Sequence, residues 1–251
     1  MLKLSLVSVL SLMLVACATS NNRPEPKNMY AGLGDVYAQA NHFAEAENYY
    51  EKAHSADPNK TDVMLKLAGV QTQQGKFNQA GQTYQDILVK EPQNRIARYR
   101  LARVQMSNGE LSLALTSYQQ LLEADKKDYQ AFNGLGVLLD NLAQSQLARQ
   151  CYQQGLGFSP NDYALANNLG VSYAISGELS KSKMYFSKAS GQSITTRPKD
   201  NIILVDHYYE KFKDPLLRQA ALKKALLIQT QDVLPKTLIA EAKDAAKKWC
   251  G

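Results

Sequence analysis

Asn167-Asn168-Leu169-Gly170-Val171-Ser172-Tyr173-Ala174-Ile175-Ser176-Gly177-Glu178-Leu179 decides the fold, because the chain repeats its pattern. The pair Leu169-Gly170 has counterparts at a constant spacing of 34 residues: Leu33-Gly34, Leu67-Ala68, Leu101-Ala102 and Leu135-Gly136. Twelve residues after each small residue stand Ala46, Ala80, Ala114, Ala148 and Ser182. Four residues further an aromatic follows every time, as Tyr50, Tyr84, Tyr118, Tyr152 or Phe186. Small residues let two helices approach closely, and Leu with the aromatic fills the space left between them. No single hairpin of this kind can bury its own apolar face, so neighbouring hairpins must stack. Gly75, Gly109 and Gly177 mark the turn inside their units, and Asn41 and Ala143 take that place in the others. Pro58, Pro92 and Pro160 close three units; Lys126 and Ile194 stand where the other two would carry proline.

This pattern resembles the tetratricopeptide repeat (TPR), whose period is 34 residues. The resemblance implies an all-α fold, a right-handed superhelical solenoid of stacked antiparallel helix pairs. The units are 27–60, 61–94, 95–128, 129–162 and 163–196, with 197–230 a degenerate sixth. In that sixth unit Pro198-Lys199-Asp200 starts a helix reaching Phe212. Asp214-Pro215 reads as an N-cap with proline at the first helical position, opening a second helix to about Gln229. Ala220 falls where the aromatic belongs. Residues 231–251 form a capping helix, Thr237 to Trp249, whose lysine-rich outer face suits the open end of a solenoid.

Residues 1–16 carry Lys3 and then a short apolar run, too short for a confident membrane span. The run ends in Leu14-Val15-Ala16-Cys17, which resembles the bacterial lipobox. That resemblance implies diacylglycerol on the Cys17 thiol, cleavage before it, and acylation of the new amino terminus. Ala18 in place of Asp implies sorting to the outer membrane. Each buried methylene contributes about 0.8 kcal/mol, so several acyl chains hold a domain to the bilayer nearly permanently. Residues 17–28, polar and with two prolines, read as the lipidated terminus and a short tether.

A formal charge of +6 is spread along the chain except for Lys243, Lys247 and Lys248, which argues for solubility rather than a nucleic-acid footprint. Much of the tyrosine content is accounted for by the repeat. His42, His54 and His207 have no partner at ligand spacing, and no nucleophile, metal or phosphate-loop motif occurs. The reading is therefore of a protein without catalytic residues, metal or cofactor, and without nucleic-acid or small-molecule substrate. Cys151, inside a helix, and Cys250, at the chain end, leave two alternatives open: a buried apolar side chain with a terminal thiol, or a disulfide.

TPR geometry puts the functional surface on the concave side, lined by the first helix of each pair. By that mapping the surface includes Asp35, Gln39, Leu65, Thr72, Gln73, Tyr99, Arg103, Met106, Asn133, Val137, Asp140, Asn141, Asn167, Val171 and Ile175. Tyr99, Arg103, Met106, Asn133, Val137, Asn167 and Val171 suit an extended peptide, amides bonding its backbone and apolar groups forming pockets. The Lys, Arg and Asn arrangement that clamps a peptide's carboxyl end in some TPR proteins is not reproduced. Anchor, repeats and the weakened unit around Asn201-Ile202-Ile203-Leu204 together resemble the TPR lipoproteins that serve pilus and secretion machines. The resemblance implies a membrane-anchored scaffold at the periplasmic face of the outer membrane, supporting assembly of the tight-adherence (Flp) pilus. Its partners would be protein components of that apparatus, a secretin among them. The alternatives are a type IV pilus pilotin aiding secretin assembly, and an envelope adaptor recruiting a cell-wall enzyme.

Overall fold

The computed structural model describes residues 26–191, 197–226 and 235–251. The apolar leader, Cys17, most of the tether, Ile194 and the expected end of the sixth unit at Gln229 lie outside the described residues. Thirteen helices are described, and no strand occurs among these residues. They pair as α1 (Pro26–Gln39) with α2 (Phe43–Ala56), α3 (Thr61–Gln73) with α4 (Phe77–Lys90), α5 (Arg95–Ser107) with α6 (Leu111–Ala124), and α7 (Tyr129–Asn141) with α8 (Ser145–Phe158). Then come α9 (Tyr163–Ile175) with α10 (Leu179–Ser190), α11 (Arg197–Lys211) with α12 (Pro215–Ala225), and α13 (Lys236–Cys250) alone. The chain divides into two compact bodies, one ending at Thr83 and the other Tyr84–Gly251.

The repeat residues do in space what their spacing implies. Gly34 faces Tyr50, Gly136 faces Tyr152 and Gly170 faces Phe186, so closely that a Cβ on Gly136 would lie 2.4 Å from the Tyr152 ring. The turns inside the pairs adopt left-handed backbone at Gly75, Gly109 and Gly177, and equally at Asn41 (φ 60°) and Ala143 (φ 58°). First helices start on a periodic cap. The side chains of Asn94, Asp128 and Asp162 accept from the backbone N–H three residues on, at 2.9, 3.0 and 2.8 Å. Asp128 also takes both prongs of the Arg95 guanidinium at 2.7 Å, which ties the start of unit four to that of unit three.

In the first body, Ala46, Tyr50 and Ala53 of α2 close on Val63, Leu67 and Val70 of α3. Beside them Glu47 is buried among Gln71, Gln74 and Lys76. Burial works against its charge, but hydrogen bonds from Lys76, Gln74 and Gln71 prevail and hold its carboxyl below the usual range. In the second body one core runs from Ala102 to Tyr173 and takes in α13. A further cluster, Ala174, Ile175, Phe186, Val205, Leu222 and Leu226, joins unit five to unit six.

Three sequence expectations are corrected. Residues 26–28, expected as the end of the tether, lie instead in α1 (Pro26–Gln39). In unit six Ala220 is exposed and Leu222 is buried in the aromatic's place. The reason is that α11 has 15 residues where α9 has 13, which slips the register of the following helix by two. Third, α13 does not cap the open end of the stack. It lies along α6, α7 and α8, with Leu238, Ala242, Ala245 and Ala246 buried against the core. Its three alanines permit that close approach, Lys248 pairs with Glu123 of α6 at 3.2 Å, and a disulfide joins Cys250 to Cys151 of α8, with Cα atoms 4.7 Å apart.

Candidate functional site

Within the second body the first helices of units three to six line a cavity of about 250 Å³. Met106 and Ser107 come from α5, Val137, Asp140 and Asn141 from α7, Asn167, Asn168 and Val171 from α9, and Arg197 and Asn201 from α11. Tyr152 and Leu226 complete the wall. Of the concave-face residues singled out by sequence, Met106, Val137, Asn167 and Val171 are brought together here, with Asp140 and Asn141. Tyr99, Arg103 and Asn133 do not line this cavity. Tyr99 packs against the core with the Arg103 guanidinium 6.0 Å from its ring centre. In the first body Asp35 is engaged by Tyr50 and Lys66, at 2.7 and 2.9 Å.

Asn133 reaches the cavity through its neighbour, and this reveals the site's organising feature. The amide of Asn201 donates to Asn167 Oδ1 at 2.9 Å, Asn167 donates to Asn168 Oδ1 at 3.4 Å, and Asn168 donates to Asn133 Oδ1 at 2.9 Å. Asparagines on α11, α9 and α7 thus form a ladder across three units. Each of the donating amides commits one N–H to the ladder and keeps a second N–H and a second lone pair. Asn133, Asn167 and Asn201 are 34 residues apart, so the repeat itself sets the rungs. Asn201 and Arg197 were not among the residues chosen from sequence. Counting one more period from Asn167 would have found Asn201; the degraded Leu-small pair at Ile203-Leu204 concealed the register.

At the floor sits Asp140. Tyr152 Oη donates to Oδ2 and Ser172 Oγ to Oδ1, both at 3.0 Å. Burial pushes its carboxyl up to about 6, against the pull of hydrogen bonds from Ser145, Ser172 and Tyr152 and of the Arg149 charge. The Tyr152 hydroxyl is driven upward too, by its own burial and by the carboxylate beside it. Asp140 therefore holds the first and second helices of unit four and the first helix of unit five in one network. Among the described residues no group of three or more His, Cys, Asp or Glu is placed to hold a metal, and no helix is long and apolar enough to cross a membrane.

The stacked helix pairs and the amide-lined groove define a TPR protein-binding scaffold. Two family profiles, each described as tetratricopeptide repeat, match residues 37–96 and 72–135 and residues 129–162, together half of the chain. The chain belongs to the tetratricopeptide-repeat superfamily. Among solved structures it is similar to a crystal structure of MamA protein, with 22% identity and a TM-score of 0.54 over 69% of this chain and 94% of that one. It is also similar to residues 41 to the end of MamA from Desulfovibrio magneticus RS-1, with 17% identity and a TM-score of 0.56 over 68% of this chain and 97% of that one. A third likeness is to the APC/C hetero-tetramer Cut9–Hcn1, with 22% identity and a TM-score of 0.66 over 92% of this chain and 46% of that one. At these identities the likeness is one of fold. No curated protein sequence matches the chain.

Proposed function

We propose that this chain is a lipid-anchored scaffold that holds an extended segment of a partner protein along the groove of units three to six during pilus assembly. The asparagine ladder carries the reading. Amides at repeat spacing offer donors and acceptors to a peptide backbone, while Met106, Val137, Val171 and Leu226 offer apolar contact to its side chains. The anchor is supported by Leu14-Val15-Ala16-Cys17. The Cys151–Cys250 disulfide agrees with an oxidising compartment such as the periplasm. The finer assignment rests on resemblance to TadD, the lipoprotein of the tight-adherence (Flp) pilus locus, in which repeats follow the anchor at once and a well-kept unit precedes an atypical one. In that setting the partners are components of the pilus apparatus, its secretin included, met at the periplasmic face of the outer membrane.

Cys17→Ser tests the anchor. With a clickable palmitate analogue supplied to the cells, the parent chain is expected to take the label and sediment with outer membrane, and the variant to do neither. A variant that stayed membrane-bound would contradict the lipid anchor. Loss of secretin multimers on deletion, with pilin processing intact, would move the assignment to the PilF/PilW type of pilotin.

A further inference from the structure

The two charged side chains in the groove wall differ in how open they are to a partner. Asp140 is 6% exposed, and its carboxylate oxygens accept from Tyr152 and Ser172. A cation reaching it would have to pass these neighbours and share the cavity with Arg197. Arg197 stands exposed at the start of α11 and forms no ion pair among the described residues. Three periods earlier Arg95 holds the same place in its unit, and there both prongs of the guanidinium are taken by Asp128. Further along α11, Asp206 is taken by Lys183 at 2.5 Å. Asn201, one turn on from Arg197 and on the same face, lines the cavity too. It is 8% exposed, and its amide gives one N–H to Asn167 and keeps the other. An uncommitted guanidinium with an amide N–H beside it is suited to a carboxylate, and the apolar wall of Met106, Val137, Val171 and Leu226 reduces screening between them.

We propose that the unit-six end of the groove selects an acidic side chain, so that the bound segment carries an aspartate or glutamate where it passes Arg197. This rests on the groove reading above and adds to it what the ladder lacks. Amides donate and accept alike, so the ladder grips a backbone without fixing which residue of the segment lies at which rung. A single carboxylate held at Arg197 and Asn201 sets that register. The free carboxyl end of a chain has the same chemistry as an acidic side chain, and the test separates the two.

The test offers the purified full chain random peptides displayed on phage, fused through their carboxyl ends so that side chains supply the only carboxylates. The enriched peptides are expected to share an Asp or Glu at one fixed place in their pattern. Arg197→Glu is expected to weaken those peptides about tenfold or more and to select Lys or Arg at that place, whereas Arg197→Lys keeps the acidic preference. A reversal of charge preference is not what a merely structural role would produce. Arg197 is exposed, and an unchanged melting temperature shows that each variant is folded. Asn167→Ala with Asn201→Ala separates this proposal from the one beneath it. Peptides lost in that pair but without an acidic position, or an acidic preference that survives Arg197→Glu, would overturn the register site and leave the groove standing. No enriched peptide, or peptides indifferent to the asparagine pair, would overturn both. Binding confined to synthetic peptides with a free carboxyl end would mean that the site reads a chain terminus, which also overturns the proposal.

Discussion

Ala143 and Asp140 lie within one turn of each other and show how single residues bear on this fold. Ala143 holds the left-handed turn at φ 58°, where its Cβ is disfavoured, while three other units place glycine there. Ala143→Gly is expected to stabilise the chain by about 0.5–1 kcal/mol, read as a higher urea midpoint at unchanged slope. Asp140 has the opposite relation to its surroundings, since its ordinary value of 3.8 rises to about 6. Between those values the folded chain binds more protons than the unfolded chain. Stability linked to Asp140 is therefore fully present below about pH 4 and is lost as pH rises through about 6. Asp140→Asn keeps a carbonyl acceptor and removes the titration, so the slope of stability against pH over that window is expected to flatten. An unchanged slope would mean that the carboxyl ionises at its ordinary value.

At the scale of the element, α13 departs most from what its sequence announced. Its amphipathic pattern told that one side would be buried, and Leu238, Ala242, Ala245 and Ala246 are the residues that are. Periodicity cannot say against which surface. That information resided in Cys250, whose partner could be named only as one of two alternatives until α8 brought Cys151 within reach. The disulfide closes a sequence separation of 99 residues and ties the last helix to the middle of the stack. Cys250→Ser is expected to cost about 2–4 kcal/mol and to make α13 the first segment cut by protease, with the α7–α8 pair still protected. Equal protection of α13 in parent and variant would show that apolar packing alone holds it. The helix pairs themselves were legible from Leu33-Gly34 to Phe186, because close approach restricts each position to a few residue types. Unit six was less so: the two-residue extension of α11 shifts Leu222 into the aromatic's place, and a fixed period cannot register a slip.

For the whole molecule, period and function share an origin. In units four to six the 34-residue repeat places an asparagine at the same concave position, Asn133, Asn167 and Asn201, where units one to three carry Ala31, Leu65 and Tyr99, and Asn168 links the first two. Half of the groove was legible as Met106, Val137, Asp140, Asn141, Asn167 and Val171, since family geometry says which positions face inward. Tyr99 and Arg103 were chosen by the same rule, but the Tyr99 ring packs against the core and the exposed Arg103 guanidinium lies over that ring, an arrangement that spacing does not encode. The central claim is that the ladder grips a partner. The direct measurement is site-specific photocrosslinking in cells from Val171, inside the groove, and from exposed Leu113 on α6 as control, each with and without Asn167→Ala and Asn201→Ala. Capture of one discrete partner from Val171, its absence from Leu113, and its loss in the paired asparagine variant are the expected result. Capture from Leu113 as strong as from Val171, or a Val171 adduct that survives loss of both asparagines, would contradict the account.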